Sequence, residues 1–431
     1  ILAPQPIMKN FLDKIFLRSN NLEYISTNIK NLTKINPVGK IFNAINSFSV
    51  ESEIRYVGGC IRKIIGQEEV DDIDLATNLI PQQVCEILKK NKIQFYETGI
   101  QHGTITALID EYKFEITSLR EDISTDGRHA KVKFSKDWKK DALRRDFTIN
   151  SIYSDGDGNL FDPFNGKDDL EKGLVRFIGN VNQRINEDFL RILRYLRFFL
   201  NYSKQPHDLG VISKLRRNIE GVSNLSKERL LDELKKITKL STLEKLSKDK
   251  ICLEIILAIF PELKNIRIFS KLNSEKREIL KKIDFIFLLS LMIIDETDNT
   301  DYFLYKHNIS NIDKKRIEII KNFYAEKINI NTFKEKNLNK IFYHAGRQAI
   351  EDILIFRIIK SQKYERSLLE TLKFYENRKK PEMPLGAKKL MEKYKIPEGK
   401  QLGNKLKIIE QQWIDNNFQI SDKQVEQIIK S

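Results

Sequence analysis

Two aspartates one residue apart, Asp72 and Asp74 in the run Asp71-Asp72-Ile73-Asp74-Leu75, have the clearest capacity for chemistry in this chain. In an extended segment alternate side chains share a face, so the two carboxylates would stand about 6 to 7 Å apart while Ile73 and Leu75 turn into a core. Hard divalent cations such as Mg²⁺ take oxygen ligands and keep company with substrate phosphates, so this pair suits a metal-assisted phosphate reaction. A bare pair of this kind is also an ordinary solvated strand end, and its surroundings decide between the readings.

Upstream, Gly58-Gly59-Cys60-Ile61-Arg62 reads as a glycine turn at a strand-to-helix junction. Backbone N–H groups at such a turn can approach phosphate oxygens closely, and Arg62 adds charge one turn on. The pattern Gly-x-x-x-x-Gly-Lys-Ser/Thr does not occur, so the P-loop form of phosphate binding is not supported. Downstream, the alternation Phe114-Glu115-Ile116-Thr117 turns Glu115 away from the core side, either as an exposed strand residue or as a third carboxylate facing Asp72 and Asp74. Arg144-Arg145-Asp146 sets two forked guanidiniums beside an acid, either as a phosphate contact with Asp146 bracing one arginine or as a surface ion pair.

The last cluster is Glu187-Asp188-Phe189-Leu190-Arg191, continuing to Arg194 and Arg197. A helix over 184–202 would carry Phe189, Ile192, Leu193, Leu196 and Leu200 as one apolar stripe, with Asp188 and Arg191 one turn apart on its exposed flank. Two readings stand open: an i,i+3 ion pair, or a template for a base. A carboxylate acceptor beside a guanidinium donor matches the amino donor and ring-nitrogen acceptor of cytosine and adenine, and refuses the reversed order of guanine and uracil. Arg194 is near that face, whereas Arg197 falls on the opposite flank of an ideal helix. His102, His129, His207, His307 and His344 have no metal-ligand spacing.

These residues need a scaffold of α+β class. From 36 to 176, strand-like runs (Ile54–Val57, 72–76, Thr104–Ile109 and 113–119) alternate with helical ones, including a proline-started helix at Pro81–Lys90. Beyond Gly179 the 3.6-residue period takes over, with helices expected over 184–202, 225–240, 243–259, 277–294 and 351–375 and a linker at 378–384. The chain has 431 residues, 41% of them hydrophobic and 31% charged, which implies two to four packed units. Its longest apolar stretch, 285–294, is far below the ~20 residues of a bilayer span, so no membrane association is expected. Residues 1–10 do not read as a secretory signal, and Met8 is a candidate natural start. Three cysteines without a Cys-x-x-Cys pair fit a reducing compartment, the cytoplasm or an organelle matrix. The net charge of +15 favours a polyanionic partner, and residues 331–431, with 21 Lys and Arg against 13 Asp and Glu, supply +8 of it.

In order, VGGCIRK, DDIDLAT, HGTITALI with FEITSLR, TDGRHAKVKF, RRDFTINS, DPFNGKDDL and EDFLRILRYLRF resemble the class II tRNA nucleotidyltransferases, the CCA-adding enzymes within the polymerase β-like nucleotidyltransferase superfamily. The resemblance is carried by residues 53–199; the helical remainder is similar only in character. It implies a catalytic head over 36–176, a helical neck with the nucleotide-recognition helix over 177–240, a helical body over 241–330 and a basic tail over 331–431 that helps grip the tRNA acceptor arm. By motif position, Asp72 and Asp74 would hold two Mg²⁺ ions with Glu115 in support. Gly59, Arg62 and Arg145 would meet the incoming triphosphate, Asp188 with Arg191 would template C or A, and Arg194 and Arg197 would be further nucleotide-site arginines. Residues 122–136 match the flexible loop used in switching from C to A.

The implied reaction adds C, C and A to the tRNA 3′ end from CTP and ATP, releasing pyrophosphate, with the protein itself reading the base. One departure stands out: the first motif of the family usually ends Val-Arg-Asp, whereas Ile61-Arg62-Lys63 ends on a cation. The neighbouring readings are a bacterial poly(A) polymerase, a CC-only or A-only enzyme, and an RNA-binding protein with an inactive head. His102-Gly103-Thr104-Ile105-Thr106 resembles the CCA-adding form more than the poly(A) polymerase form.

Overall fold

The computed structural model describes residues 22–125, 130–325, 333, 335–361 and 366–430. The chain divides into two compact units, one up to Leu234 and one from Lys235.

In the first unit, Ile54, Tyr56 and Val57 are buried around the half-buried Arg55 and form β1 (Ile54–Val57). It lies inside a seven-stranded sheet of order β3 (Gln94–Gly99), β4 (Thr104–Ile109), β5 (Tyr112–Ser118), β2 (Asp74–Thr77), β1, β8 (Tyr153–Ser154) and β9 (Leu160–Phe161). Every neighbouring pair is antiparallel except β2 with β5, which run parallel in a register that sets Asp74 opposite Glu115 and Leu75 opposite Ile116. The alternation that set Glu115 apart from Phe114 and Ile116 is present: those two are buried and Glu115 is exposed. β4 and β5 form the expected hairpin, turning at Asp110, whose φ of 55° is one that Asp tolerates better than most residues. The Pro81–Lys90 helix lies where the sequence places it, with Val84, Ile87 and Leu88 buried. β6 (Arg120–Thr125) and β7 (Ala130–Phe134) pair as a separate ribbon, so the described ends of the expected 122–136 loop are strands. Residues 126–129 of that loop lie outside the described residues.

Several expected elements differ from the structure, among them the helix over 351–375, where Arg347–Lys360 and Arg366–Glu376 are separate helices. The strand carrying Asp74 starts at Asp74 itself, so Asp72 belongs to the loop before it. The single helix expected over 184–202 is two, Val181–Glu187 and Leu190–Tyr202, separated by Asp188 in an extended conformation with φ −157° and ψ 104°. The Asp188 carboxylate accepts a hydrogen bond from the Leu190 amide at 3.1 Å, satisfying a donor at the start of the second helix. The same misreading recurs in the second unit. The apolar period runs on through 243–259 and 277–294, yet Asp249 and Asp284 each cap a new helix by accepting from the amides of Cys252 and Phe287.

The second unit is helical throughout its described residues, from Leu240–Leu246 to Asp422–Lys430. Its last three helices, Ala387–Tyr394, Lys400–Asp415 and Asp422–Lys430, follow the expected linker and share a small core of Leu390, Leu402, Ile409, Val425 and Ile428. Among the described residues, no helix is long and apolar enough to cross a membrane.

Candidate active site

Every residue singled out above for chemistry lies in the first unit. Gly58 joins β1 to the helix Gly59–Ile65 with φ 65° and ψ −113°, a conformation that only glycine adopts at little cost. A Cβ built on Gly59 would stand 3.9 Å from both Arg62 Nη2 and Asp74 Oδ2, and one on Gly58 would stand 3.6 Å from Arg145 Nη1. The glycine turn therefore faces the arginines on one side and the acidic cluster on the other.

Asp74 is half-buried, and burial together with the neighbouring charges of Asp72 and Glu115 pushes its carboxyl up to about 6. Arg145 and Arg62 act in the opposite sense without cancelling that push. Glu115, although its side chain reaches the surface, is also raised, by the partial burial of its carboxyl first and by Asp72 second. The three carboxylates are near enough for Asp72 to raise both of the others, although among the described residues their oxygens do not all lie within 4.8 Å of one another; as oxygen donors they suit a hard divalent cation, whose charge would relieve the repulsion that holds Asp74 high. Asp72, Asp74 and Glu115 are the residues that would hold it.

This crowding gives a pH prediction. With its folded-state pKa above the ordinary 3.8, Asp74 contributes stability below pH 3.8 that is lost as pH rises through 6 in the metal-free protein, and cation binding must displace its proton below pH 6. Mn²⁺ affinity, measured by electron paramagnetic resonance, is expected to be about tenfold weaker at pH 5 than at pH 7. An affinity unchanged over that range would mean that Asp74 is already ionised at pH 5.

The arginines are held by partners the sequence did not disclose. Asp146 does not brace Arg144 or Arg145; it is buried and accepts from Arg194 Nε at 2.6 Å. Arg144 and Arg145 instead share Asp141 of the helix Trp138–Leu143, at distances of 2.7 and 3.3 Å. Tyr153 donates to the same carboxylate at 2.6 Å and accepts from Arg145 Nε at 2.9 Å. Burial alone would raise Asp141, but Arg144 and Arg145 prevail and hold it at about 2. Arg62 donates to Asn150, whose amide donates to Asp146 at 2.9 Å, linking the glycine-turn helix to Arg194. Arg62, Arg194 and Arg197 also surround the Phe198 ring at 4.9, 5.5 and 4.2 Å. Arg197 shares the Phe198 ring with the other arginines but is paired with Glu233 of the helix Lys227–Ile237.

Asp188 and Arg191 do not pair through their side chains. Asp188 is bonded to Arg229 of the helix Lys227–Ile237 at 2.8 Å, and Arg191 to Glu187 and to the carbonyls of Arg184 and Arg144. Arg184 in turn donates to the carbonyls of Arg144 and Arg145, fixing the backbone that presents those arginines. Lys63, the departure from the first motif, is paired with Asp71.

Residues 54–176 match the poly A polymerase head domain. The human mitochondrial CCA tRNA nucleotidyltransferase 1 is 47% identical over 188 residues, 43% of this chain and 43% of that protein, so the match spans less than half of its length. The CCA-adding enzyme of Staphylococcus haemolyticus is 28% identical over 71% of this chain and 73% of its own. Among solved structures, the Bacillus stearothermophilus CCA-adding enzyme in complex with CTP superposes with a TM-score of 0.68 over 92% of this chain and 97% of that one, at 20% identity. Residues 54–176 thus match the poly A polymerase head domain, and the chain is similar to CCA-adding enzymes in sequence over part of its length and in fold over most of it.

Proposed function

We propose that this protein is a CCA tRNA nucleotidyltransferase, adding C, C and A to the 3′ end of tRNA from CTP and ATP and releasing pyrophosphate. The observation that carries the reading is the meeting, within one unit, of Asp72, Asp74 and Glu115 with a glycine turn and a set of braced arginines. Such a site has separate places for a cation and for a polyphosphate.

Divalent cations, two Mg²⁺ in this reading, would activate the primer hydroxyl and neutralise charge on the triphosphate when bound. The chain's own groups do the rest. Gly59 leaves room for the triphosphate beside Arg62 and Arg145, and Asp141 and Asn150 keep those guanidiniums in place without a reorganisation cost at the moment of transfer. Arg194 and Arg197 extend the positive wall behind them. Asp188 and Arg191 carry the base selection, Asp188 accepting the amino group of C or A and Arg191 donating to the ring nitrogen. Their present partners, Arg229 and Glu187, keep both side chains extended toward fixed points, and engaging a base means exchanging or sharing those bonds. The 331–431 tail, with its +8 charge, suits the tRNA backbone. The three free cysteines suit a reducing compartment, the cytoplasm or an organelle matrix.

The reading is tested by offering the four nucleoside triphosphates singly, with Mg²⁺, to a tRNA that ends at its discriminator base. CTP is expected to be incorporated, ATP to follow only once the CC end exists, and GTP and UTP to be refused. Incorporation of all four at similar rates would remove Asp188 and Arg191 from base selection.

A further inference from the structure

Asp74 and Asp72 are held in different ways. Asp74 opens β2 and is fixed by its place in the ladder with β5. Asp72 precedes the strand, in the loop that returns from the helix Gly59–Ile65, and its side chain is exposed. Its placement depends on what anchors the loop. Val70 and Ile73, at 1% and 2% exposure, pin the backbone on either side from below. From above, the residue next to Asp72, Asp71, is pinned by Lys63, which is 19% exposed at its side chain and follows Arg62 in the glycine-turn helix. The amide of Glu68 donates to the Lys63 carbonyl at 2.8 Å, so the loop is tied to this one residue at both its start and its end. Lys63, Asp71, Asp72 and Asp74 are gathered closely enough that all four charges act on the buried Cys60 thiol.

We propose that the Lys63–Asp71 ion pair is a positioning device that sets Asp72 against Asp74 for divalent-cation binding, and couples that placement to the helix that presents Gly59 and Arg62 to the nucleotide. The pair explains how a cation is accommodated at the end of a motif where an acid is usual: Lys63 meets an acid from the metal-binding loop. It also neutralises Asp71, which would otherwise be a further carboxylate beside the metal ligands. The inference rests on the metal role proposed for Asp72 and Asp74.

Charge reversal tests it. Lys63→Asp sets two acids against each other and Asp71→Lys two cations, while the double variant K63D/D71K restores an opposite pair with the same net charge as the parent. Mn²⁺ affinity, read by electron paramagnetic resonance with no substrate present, is expected to fall about tenfold in each single variant and to return to within about twofold of the parent in the double. Melting temperature, followed alongside, should move little, because a partly exposed ion pair contributes little to global stability. Unchanged Mn²⁺ affinity in both single variants, or a double variant weaker than either single, would overturn the proposal. If the parent itself bound no Mn²⁺, the metal role of Asp72 and Asp74 would fail first, and a parent that binds Mn²⁺ normally separates the two failures.

Discussion

Asp74→Asn is expected to lower nucleotidyl transfer by about 10³-fold or more while leaving tRNA binding and the melting temperature near those of the parent or better. The magnitude follows from losing cation-assisted charge stabilisation worth several kcal/mol, each 1.36 kcal/mol being a factor of ten. Stability is expected to hold because the carboxylate of Asp74 is a repulsive element in the metal-free fold, raised to about 6 by burial and by its acidic neighbours. Asn keeps the shape at the head of β2 and removes that repulsion. Two measurements decide the matter: single-turnover transfer with labelled CTP, and calorimetric melting without metal. Transfer within tenfold of the parent would sink the assignment of Asp74, and a large drop in melting temperature would turn its role into a structural one.

Asp141→Ala is expected to act in the opposite way, through stability first. Asp141 is 1% exposed and accepts from Arg144, Arg145, Tyr153 and the Arg120 amide. Removing it leaves two partly buried guanidiniums and a buried phenol without their common acceptor, a loss of about 3 to 5 kcal/mol. In a unit of this size that corresponds to a fall in melting temperature of roughly 10 °C. The remaining activity should show a raised KM for the nucleotide, since Arg145 no longer has a fixed direction. The pH signature separates this site from Asp74. Asp141 is held at about 2, below the ordinary 3.8, so its contribution is complete above pH 3.8 and disappears as pH falls through 2. Parent and variant are therefore expected to converge in stability at the acid end. A variant as stable as the parent at pH 7 would show that the network is dispensable.

How far the site could be foreseen depended on the range of the interactions that build it. β1, the Pro81–Lys90 helix and the β4–β5 hairpin were legible because each is specified by its own alternation, its own proline or its own turn. Asp74 and Glu115 were legible because strand alternation says which side chains leave the core, and the parallel register of β2 and β5 brings them side by side; Asp72, which the same alternation placed on the strand, lies in the loop before it. The break at Asp188 was hidden: the apolar stripe of the following helix runs back through Phe189 and reads as one helix, although an aspartate ahead of an apolar run is itself a capping signal. Asp141 could have been found, since its spacing to Arg144 and Arg145 is the i,i+3 and i,i+4 geometry of neighbours on a helix face. The partners of Asp146, Asp188 and Arg197, namely Arg194, Arg229 and Glu233, are 48, 41 and 36 residues away, and nothing local in the chain announces them.

The central claim is that this protein builds a defined three-nucleotide end from two nucleotides without a nucleic-acid template. The most direct test is to incubate the full chain and Mg²⁺ with a tRNA ending at its discriminator base, supply CTP and ATP together, and weigh the product by mass spectrometry. The account predicts growth by C, C and A followed by a halt. No growth with both nucleotides present, or an open ladder of A alone, would contradict it, the first pointing to an inactive head and the second to a poly(A) polymerase.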